Sequence, residues 1–393
     1  MKKHLLATSA IALGVAAAPA AAQDWNLDWG GYYNTHIAYS DVSGTAIAPG
    51  ADFDGINIVG DGEIIFTPSV TLDNGLTFGI NVQMEAQNGG GGADGIDESY
   101  ITISGDSLGR IEIGGENSAG YKSMVGAPGV GSFAIMSASV STVAPIAHAF
   151  RQAAGSPWTE VGGNNDVQRI SYFTPSFNGL TVGVSYAPGN NTNASNAGAF
   201  NRNNTYATDI FDIGLNYSQS FGTVDLTVGA RYGTGDAAAL TVVTPATAGP
   251  DGLDGTADDV AAVTGPNTAS DPETWGIGMQ VGFGAFTVGG HYAENDNGAI
   301  GGAGDQEGWS LGATYDIAGP WSVGLQGFNG QTDGGAGVPD VEYNAYKLAG
   351  SRELGTGVSW DVYAIYAENQ NVGNVANNDR DATIIGTSIN LSF

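Results

Sequence analysis

Apolar and polar residues alternate with a period of two along most of the chain. Leu76, Phe78, Ile80, Val82 and Met84 interleave with Thr77, Gly79, Asn81, Gln83 and Glu85. The same rhythm recurs over 180–186, 211–218, 224–232 and 309–317. Successive side chains of a strand point to opposite faces, so this period reads as strand, not helix. Sixteen segments of this kind are expected: 25–40, 56–72, 76–87, 96–104, 109–115, 168–177, 180–187, 209–220, 223–234, 274–284, 286–294, 308–318, 321–330, 341–354, 357–368 and 381–393.

A soluble β-sandwich also alternates, but its apolar face points into a core. Here the other face carries Gly, Thr, Asn and Asp, and aromatics cap the apolar face. Tyr186, Tyr217, Tyr232, Tyr292 and Tyr315 fall at or near strand ends, and Trp309 and Trp321 near strand starts. Aromatic girdles of this kind sit at membrane–water boundaries. The connections alternate as well. Tight turns are expected at 73–75, 178–179, 221–222, 284–285, 319–320 and 355–356. Longer polar segments lie near 41–55, 88–95, 116–167, 188–208, 235–273, 295–307, 331–340 and 369–380. Short turns at one end and long loops at the other fit an all-β, sixteen-stranded antiparallel transmembrane barrel.

Composition supports strands. Gly (63 residues) is abundant, only 13% of residues are charged, and the usual helix formers are sparse. Without cysteine, no disulfide can brace the fold, whereas barrel closure leaves no unpaired strand edge. At the N-terminus, Lys2 and Lys3 precede an apolar stretch from Leu5 to Ala18 and a small-residue run ending at Ala22. This is the pattern of a secretory signal peptide over 1–22, with a barrel domain over 23–393. Removing two lysines moves the net charge from −29 to −31. A chain this acidic offers no basic surface to nucleic acid.

Three segments carry a family resemblance. Gly109-Arg110-Ile111-Glu112-Ile113-Gly114 is one. Another runs from Asp166 through Arg169, Tyr172 and Pro175 to Leu180. The third is the final strand, where Ile385, Thr387, Ile389, Leu391 and Phe393 share a face. Together they resemble the general porins of Gram-negative bacteria, the sixteen-stranded trimeric type; Thr174 stands where that family often has Ser. The resemblance implies an outer-membrane homotrimer with one pore per subunit, passing small hydrophilic solutes. It also implies that 116–167 folds into the lumen as a third loop, and that Phe393 is an assembly signal. Independently, a loop of about fifty residues is unusual and often functional. Its run Phe133-Ala134-Ile135-Met136 would prefer a barrel wall to water.

A pore selects by its width and its lining charge. Arg110, Arg169 and Arg231, with Glu85, Glu112, Asp212 and Asp225, fall on the polar phase of their strands. In the long loop, Glu116, Lys122, Arg151, Glu160 and Asp166 are candidates. In the family, wall cations face loop acids, which makes Arg110 and Arg169, at the two loop roots, the best wall candidates. His36 reads as a lumen side chain, Lys347 could take either phase, and Arg352 could snorkel to the boundary.

Asp251, Asp254, Asp258 and Asp259 cluster in one loop. They offer oxygens to a calcium ion or form an acidic solvated loop. No other cofactor is suggested. No Cys, Gly-x-Ser-x-Gly or His-Glu-x-x-His is present, and one of only four His lies in the leader, so an enzyme is not expected. A passive channel in contact with outer-membrane lipid and lipopolysaccharide is the leading expectation. A solute-specific channel and a barrel-borne hydrolase are the alternatives.

Overall fold

The computed structural model describes residues 24–87, 95–137, 143, 155–161, 164–192, 202, 204–244, 263–266, 269–298 and 304–393. The leader expected over 1–22, Arg151, and the Asp251, Asp254, Asp258 and Asp259 loop lie outside these residues.

Sixteen antiparallel strands close into a barrel. They are β1 (Trp29–Ser43), β2 (Gly55–Phe66, continued as Ser69–Thr71), β3 (Thr77–Gln87), β4 (Ser99–Gly105), β5 (Gly109–Gly115), β6 (Gln168–Phe173), β7 (Leu180–Gly189) and β8 (Thr208–Phe221). Then follow β9 (Val224–Asp236), β10 (Glu273–Phe283), β11 (Phe286–Asp296), β12 (Gln306–Asp316), β13 (Trp321–Thr332), β14 (Val341–Gly355), β15 (Val358–Gln370) and β16 (Arg380–Ser392). Each pairs with its sequence neighbours, and β1 pairs with β16 from Tyr32↔Ser392 to Ser43↔Asp381, which removes both sheet edges.

The expected segments match this set closely, and the differences have local causes. The second segment breaks at Thr67-Pro68, where proline lacks the N–H needed for the ladder. The first begins at Trp29, with Asn26 making only an isolated bridge to Ser69. The sixth ends at Phe173, two residues before Pro175. A short hairpin, Leu240–Thr244 against Val263–Pro266, lies within a long connection and was not anticipated.

The two strand faces differ as a barrel in lipid requires. Ile37, Tyr39, Ile58, Phe211, Ile277, Leu311, Leu325 and Leu348 are exposed, while His36, Asp212, Thr274, Ser310, Gln326 and Lys347 are buried. In a closed barrel the buried face is the inner one. Aromatic pairs mark both ends of the outer face. Phe286–Tyr315, Trp321–Trp360 and Trp29–Phe393 stand at the short-turn end, with ring centroids 4.4, 5.6 and 5.9 Å apart. Tyr186–Phe211 and Trp275–Tyr292 stand toward the long-loop end, at 4.9 and 5.5 Å. From Phe283 to Trp275 along β10 is roughly 26 Å of strand at ~3.3 Å per residue. With a tilt of ~40° that is about 20 Å of height, near the apolar band of an outer-membrane barrel. Arg352 lies on the outer phase with its guanidinium 5.8 Å from the Trp321 ring centre, so its charge reaches the short-turn boundary as expected.

Candidate functional site: the inner wall and the loop against it

Residues after β5 follow the inner wall in strand order. A single helical turn, α1 (Ala119–Ser123), starts where the Ser118 hydroxyl accepts a hydrogen bond from the Tyr121 N–H at 3.1 Å. Ala119 N–H then donates to Ser185 Oγ on β7 (3.1 Å), and Asn216 of β8 donates to Ser123 O (3.0 Å). Gln280 of β10 donates to Gly126 O (2.9 Å), and Ala127 N–H donates to Ser310 Oγ of β12 (3.1 Å). Gln326 of β13 donates to Ala127 O (3.3 Å), Lys347 of β14 to Val130 O (2.9 Å), and Ser132 N–H donates to Asp361 Oδ2 of β15 (3.0 Å). The described part of the return leg runs the other way. His291 Nε2 of β11 lies 3.0 Å from Gly155 O, Arg231 of β9 donates to Thr159 O, and Ser118 N–H donates to Glu160 Oε1 at 3.2 Å.

Backbone reaches the wall this closely because the wall lacks side chains there. A methyl at Gly229 would lie 2.6 Å from Ser123 O, and one at Gly312 would lie 2.5 Å from Pro128 O. One at Gly324 would lie 2.9 Å from Val130 Cγ2, and one at Gly278 would overlap Val125 O. These inner-face glycines form a trough across β9 to β13. Toward the loop tip the contact turns apolar. Phe133, Ile135 and Met136 are buried against inward-pointing Phe328, Tyr343, Ile365 and Ile384. The expected preference of this run for the wall is met, by an apolar patch that the alternation did not reveal.

The charged candidates fall into groups. At the first loop root, Arg110 Nε pairs with Glu112 at 2.7 Å, and Lys122 bridges Glu112 and Glu116 at 2.8 and 2.5 Å. Gln83 and Asn117 donate to Glu98 at 2.7 and 2.5 Å. Under α1, Arg231 and Asp212 form an ion pair whose side chains are 0% and 1% exposed. At the second root, buried Arg169 donates to Asn164 O and Oδ1 and to Val167 O. Asp166 is buried beside it and accepts from Asn165. Arg169 thus ties down the loop root and does not face open water; Arg110 is half exposed. Glu85 lies on the inner phase of β3. Asp225 sits by the short-turn end, where Ser220 donates to it.

Lys347 points inward, where it donates to two loop carbonyls and lies 4.1 Å from the Phe133 ring centre. Inner-facing Asp61 and Glu63 on β2 escaped the sequence reading. Their signal was available, since Asn57, Val59, Asp61 and Glu63 alternate with Ile56, Ile58, Gly60, Gly62 and Ile64. Among the described residues, no group of three or more His, Asp or Glu is arranged to hold a metal ion.

Glu116 lends the loop root a pH dependence. Loss of water, then the neighbouring Glu112 carboxylate, pushes the Glu116 carboxyl up to about 8, against the pull of Lys122. Unfolded, it would titrate near 4.5. The folded form binds more protons between those values, so this group's contribution to stability is present below that window and falls as pH rises through it. Urea unfolding in lipid vesicles should show a lower midpoint at pH 9 than at pH 6. Glu116→Gln should remove much of that difference; an unchanged slope would remove Glu116 from the account.

A closed β-barrel with an apolar exterior, aromatic girdles and a polar, charged interior defines an outer-membrane channel. The Gram-negative porin profile matches residues 7–374, and the chain belongs to that family. Solved structures share the fold. The anion-selective porin from Comamonas acidovorans aligns with a TM-score of 0.58 at 16% identity, over 94% of this chain and 100% of that one. The in-vitro folded trimer form of OmpT, an outer membrane protein of Vibrio cholerae, aligns at 0.57 and 11% identity, over 94% and 99%. A mutant of the Rh. blastica porin aligns at 0.52 and 16%, over 94% and 100%. No curated protein matches the chain in sequence.

Proposed function

We propose that this outer-membrane channel is a passive one. Small hydrophilic solutes and ions cross a water-filled barrel, narrowed by the loop between β5 and β6. The carrying observation is the ordered run of hydrogen bonds from Ala119 to Ser132 along inner-facing residues of β7 to β15. A segment held this way takes up cross-section without blocking it, and diffusion through the remainder needs no energy source. The reading is of a channel without catalytic activity, supported by membership of the porin family. Homotrimeric assembly is part of the proposal and draws on the trimer form of the Vibrio cholerae relative. So are removal of residues 1–22, the assembly role of Phe393, and contact with lipid and lipopolysaccharide. Calcium held by Asp251, Asp254, Asp258 and Asp259 rests on the spacing of those carboxylates alone.

Protein purified from outer membranes should have a mature start near Gln23, migrate as a trimer before heating, and give stepwise currents in a planar bilayer. Current-free bilayers, with no swelling of loaded liposomes in small sugars, would overturn the channel reading.

A further inference from the structure

Between the loop tip and the short-turn ends of β14 to β16, and reaching β1 and β2, lies a cavity of about 610 Å³. Tyr32 and Asn34 of β1, Asp61 of β2, Gly131 and Ser132 of the loop, and Glu353 of β14 line it. Both charged residues among its lining are carboxylates. Glu63, two positions along β2 on the same face, accepts a hydrogen bond from Tyr32 Oη at 3.0 Å. Among the described residues, neither Asp61, Glu63 nor Glu353 forms an ion pair.

Among the described residues, the inner-face and loop cations are disposed differently. Arg231 is paired with Asp212 beneath α1, Arg169 is spent on the loop root, and Lys347 is covered by the carbonyls of Val130 and Phe133. Lys122 sits between two carboxylates, and Arg110 is paired with Glu112. Arg380 stands at the long-loop end of β16, across the barrel's height from the cavity. The described wall cations are thus covered by the loop or paired with neighbouring carboxylates, whereas Asp61, Glu63 and Glu353 keep their negative charge without a cation partner among the described residues.

We infer that the passage alongside this cavity, beside the loop tip, favours cations, and that Asp61, Glu63 and Glu353 set that preference. The inference rests on the channel reading and names the solutes that channel favours. Fixed charges beside a narrow aqueous path raise the local concentration of counter-ions, and the effect fades as salt shortens the screening length from about 10 Å at 0.1 M to about 3 Å at 1 M.

The test is the reversal potential in a tenfold KCl gradient across a planar bilayer. Near 0.1 M the native protein should pass potassium over chloride by roughly fivefold, falling toward one near 1 M. The triple variant Asp61→Asn, Glu63→Gln, Glu353→Gln should lose most of that preference at low salt while neutral sugars enter liposomes at the native rate. If the triple variant fails to fold, Asp61→Asn alone should lower the ratio measurably. A native channel that conducts but favours chloride, or a ratio unmoved by these substitutions, overturns the inference and leaves the channel reading standing. Absence of any current would instead defeat the channel reading.

Discussion

Replacing Arg231 with methionine should lower barrel stability by about 3–5 kcal/mol, the usual cost of leaving one member of a buried ion pair without its partner. Asp212 would then be a fully enclosed carboxylate beneath α1, and its loss of compensation is felt by the loop as well as the wall. Arg231 also donates to Thr159 O on the return leg, so the same substitution frees part of that leg. Urea titration of vesicle-folded protein, followed by tryptophan fluorescence, measures the change. The paired variant Arg231→Met with Asp212→Leu should recover most of it, because two matched apolar side chains remove the stranded charge. A loss under about 1 kcal/mol for the single variant would show that water reaches Asp212 and that the pair is not sealed by the loop.

The largest functional effect is expected at the loop tip. Asp361 accepts from Ser132 N–H at 3.0 Å, and is itself held by Asn390 (2.7 Å) and Ser388 (3.3 Å). Gly131 adopts φ +94° beside it, a conformation that suits glycine. Asp361→Ala removes the acceptor that fixes the tip. Single-channel conductance should rise roughly twofold, with noisier open-state current, as the tip leaves the wall intermittently. Gly131→Val should act in the same direction by a different route, because its Cβ would lie about 3.0 Å from Asp361 Oδ2 at a backbone angle that β-branched residues avoid. Native-like conductance in both variants would mean that Lys347 and the Phe133 contacts hold the tip unaided.

The strand ladder was legible because each strand separates two solvents. An inner face in water and an outer face in lipid impose a period of two that survives in any single segment, and β5 was expected at its observed bounds of Gly109–Gly115. The loop's seat was not legible, because it depends on pairs far apart in sequence. Gly229, Gly278 and Gly312 read simply as members of the polar phase, with nothing to indicate that backbone from 123–128 rests on them. Phe328, Tyr343, Ile365 and Ile384 broke the alternation because they face loop side chains and not water. Lys347 could not be assigned until strand register fixed its phase, against Gln326 on one side and Ile365 on the other. Arg169 falls on the inner phase of its strand, but the loop root that folds over it, through Asn164 and Val167, is a contact that periodicity does not reveal.

The trough also dictates an order of events. Its floor is supplied by strands β9 to β13, and the tip's anchor by β14 to β16, all of which follow the loop in the chain. No seat exists until those staves are zipped together, so docking of 118–133 must come after most of the wall has formed, and contacts of such long sequence separation form slowly. A newly closed cylinder would be wider and leakier than the mature one, and would acquire its final bore only as the strap settles into place.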